Sequence, residues 1–264
     1  MSNKVNYKQK KEGKVAQFIA KVHKLMDDDD KTSHKKKIDQ FVTKVHKLVC
    51  LEILMTTLFC LFIYSFNLEN LMSLEALVIS GLIQMISHIF LVHIDDIIKD
   101  TSVQNIIAII IYFLNVVLNG IYIIGILQIF AKTGLYLGNI VLSAAIITIG
   151  VYLYAILYEK KNRNKSTNKK IMAMVSWGTC LALLLQLVIK NGIVMLIVDI
   201  ITVILISLSI IFDVKRLGEE YKEQMRIDNK TNVFALMIEQ TEMVVMDLIL
   251  NFVAIIKLWV DSQD

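Results

Sequence analysis

Seven long apolar runs constrain this chain more than anything else in it. They cover Val49–Phe66, Leu74–Ile94, Asn105–Phe130, Leu135–Tyr158, Ile171–Ile189, Gly192–Phe212 and Met243–Val260. A soluble helix or strand alternates apolar and polar faces, and these runs do not. A helix pairs its whole backbone within one segment, so continuous runs of this kind predict helices that cross a bilayer. At about 1.5 Å per residue, most of them reach across a hydrocarbon core of about 30 Å. The first and last are shorter, which predicts snorkelling or local thinning at their ends. A composition that is 56% hydrophobic over 264 residues, with mean hydropathy +0.60, agrees. The expected fold class is all-α: a polytopic membrane protein with seven transmembrane helices.

Charge sets the expected orientation. With the N-terminus inside and spans alternating, 25 of the 28 Lys and Arg fall on the inside. Only Lys132, Lys190 and Lys257 fall outside. Such a bias obeys the positive-inside rule, and one span more or fewer in the middle would put a basic loop on the wrong side. Lys190–Asn191–Gly192 is the break between the fifth and sixth spans and reads as a tight helical hairpin turn.

The expected division is a basic cytoplasmic tail, residues 1–48, and a transmembrane domain, residues 49–264. The tail holds 13 Lys and six acids and contains an internal echo, FIAKVHKL from Phe18 and FVTKVHKL from Phe41. In each copy Phe, Val and Leu fall at i, i+4 and i+7, one apolar stripe on a helix. Two readings stand: an amphipathic helix on anionic lipid headgroups, or a helix packed under the bundle or frayed. No apolar stretch follows the basic N-terminal residues, so no signal peptide is expected. Cys50, Cys60 and Cys180 lie in apolar runs and read as small core residues rather than a disulfide framework.

Polar residues inside the runs mark the interior of the bundle. Gln84 and His88 stand at i, i+4 in the second run, with Ser87 beside them; Asn115 and Asn119 do the same in the third. They read as interhelical hydrogen-bonding glue or as the lining of a water path. His88 could also sense protons, since His titrates near pH 6.5. The sixth run carries Asp199 and ends in Asp213; these are 14 residues apart, about 40° short of whole turns, and so share a face. Asp247 lies inside the seventh run, with Glu239 and Glu242 before it in an expected inner vestibule. A carboxylate at bilayer depth is costly and marks a functional site with a partner to be named. The reading names Asp213 and Asp247 as each other's partners. Two carboxylates held close cannot both ionise freely, so they titrate as a unit. One shared proton would latch the sixth and seventh spans together. Loss of that proton would favour separation or a cation between them. Ca²⁺ wants six to eight oxygens, so two aspartates suit passage of Ca²⁺ better than storage.

No catalytic motif stands up. Asp95, Asp96 and Asp100 spell DDxxxD, but a second Asp-rich motif that would complete a Mg²⁺ site is missing. Glu219, Glu220 and Arg226 have the wrong spacing for a membrane protease. Asp199 or Asp213 with Lys257 could suggest a retinal protein, but Lys257 lies at the outer end of its span, where snorkelling is expected. There is no phosphate-binding Gly-rich loop and no zinc-type Cys/His spacing. An enzyme, a cofactor and a nucleic-acid partner are not expected.

The last third resembles the transmembrane Bax inhibitor motif family. Ile211–Phe212–Asp213 stands where bacterial members end the sixth span in an apolar-aromatic-Asp sequence. Val245–Met246–Asp247–Leu248–Ile249–Leu250–Asn251–Phe252 follows the pattern of the family's seventh span, and Lys257 takes the place of its basic residue ten positions after the aspartate. The family's Arg near the inner end of the second span is missing here, and Lys99 is the nearest cation. The resemblance implies a pH-sensitive cation leak, chiefly for Ca²⁺, in a bacterial cell membrane. Asp213 and Asp247 would be the gating and transient Ca²⁺ residues, with Asp199, Glu242, His88 and Lys99 accessory. Two readings of other classes stand beside it: a non-conducting regulatory or scaffold membrane protein acting through its basic tail, and a proton-coupled carrier, for which an inverted repeat would speak.

Overall fold

Among the described helix starts, three carry a side-chain cap. In a computed structural model, residues 34–66, 74–131, 137–162, 167–188, 192–227 and 232–262 are described. They form α1 (His34–Ser65), α2 (Leu74–Val92), α3 (Ile94–Ile97), α4 (Thr101–Ala131), α5 (Leu137–Asn162), α6 (Lys169–Val188), α7 (Gly192–Ile227) and α8 (Val233–Asp261). Asp100 accepts hydrogen bonds from the backbone N–H of Ser102 and Val103 at the start of α4, and Asn168 does the same for Lys170 and Ile171 at the start of α6. Asn232 caps α8 through the N–H groups of Phe234 and Ala235. Each cap answers donors that a helix start leaves unpaired. The chain clusters into two units, residues 1–40 and residues 41–264. Of the first, the described residues are helical. The first copy of the tail repeat, the DDDDK run and the turn residues Lys190 and Asn191 lie outside the described residues.

Six of the helices are long and apolar enough to cross a membrane; the apolar stretch Lys170–Gln186 of α6 is shorter. The surface of the second unit is inverted relative to a soluble domain. Leu54, Leu58, Leu61, Ile86, Ile146, Leu157, Trp177, Leu184 and Ile204 are all more than half exposed, while Glu52, Asn115, Asn119, Asp199, Glu242 and Asn251 are buried. Apolar side chains facing out over such an area need lipid, and buried polar groups then need one another. The chain is a multi-pass membrane protein.

Helix α8 is the centre of the unit. It packs against α2, α4, α5 and α7, and most of its residues from Phe234 to Val260 are buried. Near one end, Ile255, Ile256 and Val260 close on Ala144 of α5, with Leu127, Val203 and Phe252 around them. Helix α4 comes close to its neighbours at two glycines: a Cβ at Gly120 would run into the ring of Phe59 of α1, and one at Gly125 into Leu77 of α2.

Three helix ends differ from the sequence expectation. Helix α1 starts at His34 and runs unbroken across the expected tail boundary at residue 48. Phe41, Val42, Val45 and Val49 are buried along it, so the second copy of the repeat packs on the protein. Helix α7 does not stop at Asp213. Val214, Leu217 and Tyr221 remain buried at i, i+3 and i+7, and this one apolar face carries the helix on to Ile227. Helix α8 starts ten residues before Met243, because Leu236, Met237 and Ile238 are buried there too. The cysteines are free thiols, as expected, but Cys50 and Cys180 are exposed and not core residues.

Candidate functional site

The longer helices bring the two aspartates to one level. Asp213 lies 14 residues before the end of α7 and Asp247 lies 14 residues after the start of α8. The two helices are antiparallel neighbours, since higher positions on α8 meet lower positions on α7. Equal spacing from the intervening link puts both carboxyls about 21 Å from it. The Asp247 carboxyl is within hydrogen-bonding reach of the Asp213 carboxyl and of the Ser209 hydroxyl. Ser209 also donates to Asp213 at 3.3 Å. Asp247 Oδ2 is buried with no hydrogen-bond donor. A carboxylate cannot donate to a carboxylate, so the facing oxygens lack a hydrogen unless a proton lies between them.

A second acid pair lies on another side of α8. Glu242 is five residues before Asp247, about 140° around the helix and about 7.5 Å along it. It meets Glu52 of α1 and the Asn115 side chain of α4. Glu52 is fully buried and Glu242 nearly so. A row of amides runs outward from the pair: Asn119 donates to Glu52 Oε1 at 3.0 Å, and Gln84 of α2 donates to Asn119 Oδ1 at 2.6 Å. Glu242 therefore sits inside the bundle, not in an inner vestibule. Glu239 is partly exposed and lies near Glu220, Asp95 and Arg216.

Beyond Asp247 the polar contacts of α8 change character. Asn251, fully buried, donates to Ser207 of α7 at 2.8 Å and accepts from Thr148 of α5 at 3.2 Å. Lys257 Nζ lies 2.7 Å from Asp199 and 2.6 Å from Asp261. Gln186 of α6 donates to Asp199 at 2.7 Å. Lys257 thus folds inward to a fully buried carboxylate instead of snorkelling, because Asp199 would otherwise hold an unanswered charge. A cavity of about 320 Å³ opens between α1, α4, α5 and α8; Ile53, Leu127, Val141 and Phe252 are among its walls, and neither acid pair lines it.

These contacts order the last two long helices around aspartates at the positions that the sequence pattern singled out. The chain matches the model of the Bax1-I family, "Inhibitor of apoptosis-promoting Bax1", over residues 38–261. The chain belongs to that family. No curated protein matches it.

In this Bax1-I family chain the remaining sequence candidates fall away from the aspartates. Lys99 is exposed in the short link between α3 and α4 and is not among the groups that Asp247 meets. His88 is partly exposed on α2 and stands outside the amide row, which uses Gln84, Asn115 and Asn119. Among the described residues no group of three or more His, Cys, Asp and Glu is placed to hold a metal ion. Sequence reasoning passed over Glu52. The signal was there, a lone acid inside the apolar run of α1, and a buried acid at span depth is by default a functional candidate.

Proposed function

We propose that this protein is a pH-sensitive cation leak pathway, with Ca²⁺ as the conducted ion and the Asp213–Asp247 pair as its gate. The carrying observation is the carboxyl–carboxyl contact between α7 and α8 at matched depth, with Asp247 Oδ2 buried and without a donor. With one proton between them the two acids hold α7 and α8 together. Without it, two negative charges face each other in a poorly solvated place, and separation or a passing cation relieves them. Conduction thus rises as the pH rises. The protein has seven spans, α6 included, with its N-terminus inside and its basic residues 1–48 near anionic headgroups of a bacterial cell membrane. It carries out no covalent chemistry, and Ca²⁺ is cargo, not a cofactor.

The test is Ca²⁺ flux from protein-loaded liposomes, measured over a pH series in which a coupled carboxyl pair gives up its shared proton. The parent flux rises with pH. Asp213→Asn and Asp247→Asn each remove the rise, because an amide neither takes up nor releases the proton. A pH-dependent flux unchanged in both variants contradicts the gate and puts the scaffold reading first.

A further inference from the structure

The cavity between α1, α4, α5 and α8, about 320 Å³ in volume, reaches the size of a ligand pocket, and the gate proposed above does not use it. Four of its wall residues carry polar side-chain atoms, and each is already hydrogen-bonded. The Thr57 hydroxyl donates to the Ile53 carbonyl at 2.8 Å, and the Cys60 thiol to the Gly120 carbonyl at 3.7 Å. The Thr148 hydroxyl lies 3.2 Å from Asn251 Oδ1, and the Tyr152 hydroxyl 2.8 Å from His46 Nδ1. A buried water needs two to four polar partners, which these walls do not offer. An empty space forfeits the dispersion contacts of its lining. The walls therefore call for an apolar occupant.

The exposure of the lining residues places the mouth. Leu248 of α8 and Tyr152 of α5 are buried, at 4% and 6%, and form the floor. Ile53 of α1 and Ile149 of α5 are exposed, at 37% and 55%, and form the rim. Along the same two helices Leu54, Ile146 and Leu153 are more than half exposed, on the surface that needs lipid. The cavity thus opens sideways into the bilayer. It continues the lipid-facing surface inward as far as α8.

Charge below the mouth says which lipid fits. Ile149 stands near the middle of the apolar run Leu135–Tyr158. Lys160 follows it by eleven residues, which is three turns to within about 20° and about 16 Å along the axis. It is exposed, as is Lys161 beside it. Half of a hydrocarbon core of about 30 Å separates a mid-bilayer mouth from the headgroups. The two ammonium groups therefore stand at headgroup level on the helix that forms one side of the mouth.

We infer that this cavity is a phospholipid site: it takes one acyl chain of an anionic phospholipid from the bilayer, with the phosphate held at Lys160 and Lys161. The chain enters between Ile53 and Ile149 and ends against Leu248. Neither acid pair takes part, so the site stands apart from the gate.

The experiment uses the full chain in nanodiscs that contain a phosphatidylglycerol with a diazirine on its acyl chain. After illumination, cross-linked residues are mapped by mass spectrometry. Lipid at the outer surface labels Leu54 and Leu153, and Leu248 is labelled only through the mouth. The expected result is label at Leu248 as well as at Leu54 and Leu153. Ala145→Trp fills the cavity and removes the label at Leu248 while keeping the other two. Thr57→Trp, at an exposed rim position, does the same without disturbing the core. Lys160→Gln with Lys161→Gln lowers the Leu248 label, by about fivefold for each lysine lost at a membrane surface. A phosphatidylcholine with the same diazirine chain labels Leu248 less than the phosphatidylglycerol does. No label at Leu248 in the folded parent, or label there unchanged in both tryptophan variants, overturns the site. Equal labelling of Leu248 by the anionic and the neutral lipid overturns it too.

Discussion

Helices α7 and α8 hold two carboxylates of α7 against two ionisable residues of α8, and they answer them in opposite ways. Near one end Asp199 meets Lys257, with Asp261 and Gln186 completing the cluster. Deeper along the same pair of helices Asp213 meets Asp247. The first contact brings its own counter-charge, Lys257, which Asp199 shares with Asp261. The second has no counter-charge, so its state depends on a proton or a passing cation. An acid–base pair is a rivet and an acid–acid pair is a switch, although both lie in one interface.

The largest expected effect comes from breaking the rivet. Lys257→Met leaves Asp199 buried without its cation, and losing one partner of a buried ion pair costs about 3 kcal/mol or more. The measurement is the thermal unfolding midpoint in detergent. Adding Asp199→Asn restores most of the loss, since the orphaned charge is then gone. No recovery in the double variant would mean that Lys257 acts through packing and not through Asp199.

The switch shows itself next, as a dependence of stability on pH. A native pair that keeps a proton binds more protons than the unfolded chain does, so stability falls as the pH rises. The slope is at most about 1.4 kcal/mol per pH unit for one proton. Asp247→Asn flattens this slope and is more stable than the parent at the alkaline end. Because the Glu52–Glu242 pair adds a slope of its own, the comparison belongs in a Glu52→Gln, Glu242→Gln background. Equal slopes with and without Asp247→Asn would remove the distinction between rivet and switch.

Between the two lies Asn251, whose hydrogen bonds to Ser207 and Thr148 join three helices. Interhelical hydrogen bonds of this kind contribute about 0.6 kcal/mol each. Asn251→Leu therefore lowers stability by about 1 kcal/mol at every pH. A pH-dependent effect would extend the switch to this level.

The amino-acid sequence shows the apolar runs plainly, because lipid demands continuous hydrophobicity over a fixed length. Asp213 and Asp247 stand out for the same reason, as charges where that demand is strongest. The helix ends are less legible. From Val214 to Ile227 only one face is apolar, so mean hydropathy falls while Val214, Leu217 and Tyr221 go on packing. That hid the equal depth of the two aspartates, which rests on 14 residues of helix beyond each. Partners distant in sequence were harder still. Lys257 looked free to snorkel until α7 placed Asp199 beside it, and Glu52 had no visible reason to matter until α8 brought Glu242 to it.

The most direct test of the central claim is infrared difference spectroscopy of the protonated-carboxyl C=O band during a pH titration. It is run in the Glu52→Gln, Glu242→Gln background so that the second pair is silent. The account predicts a band that disappears as the pH rises and the shared proton is lost. The band is absent when Asp247→Asn is added. A protein that shows no such band, or shows the same band with and without Asp247→Asn, would contradict it.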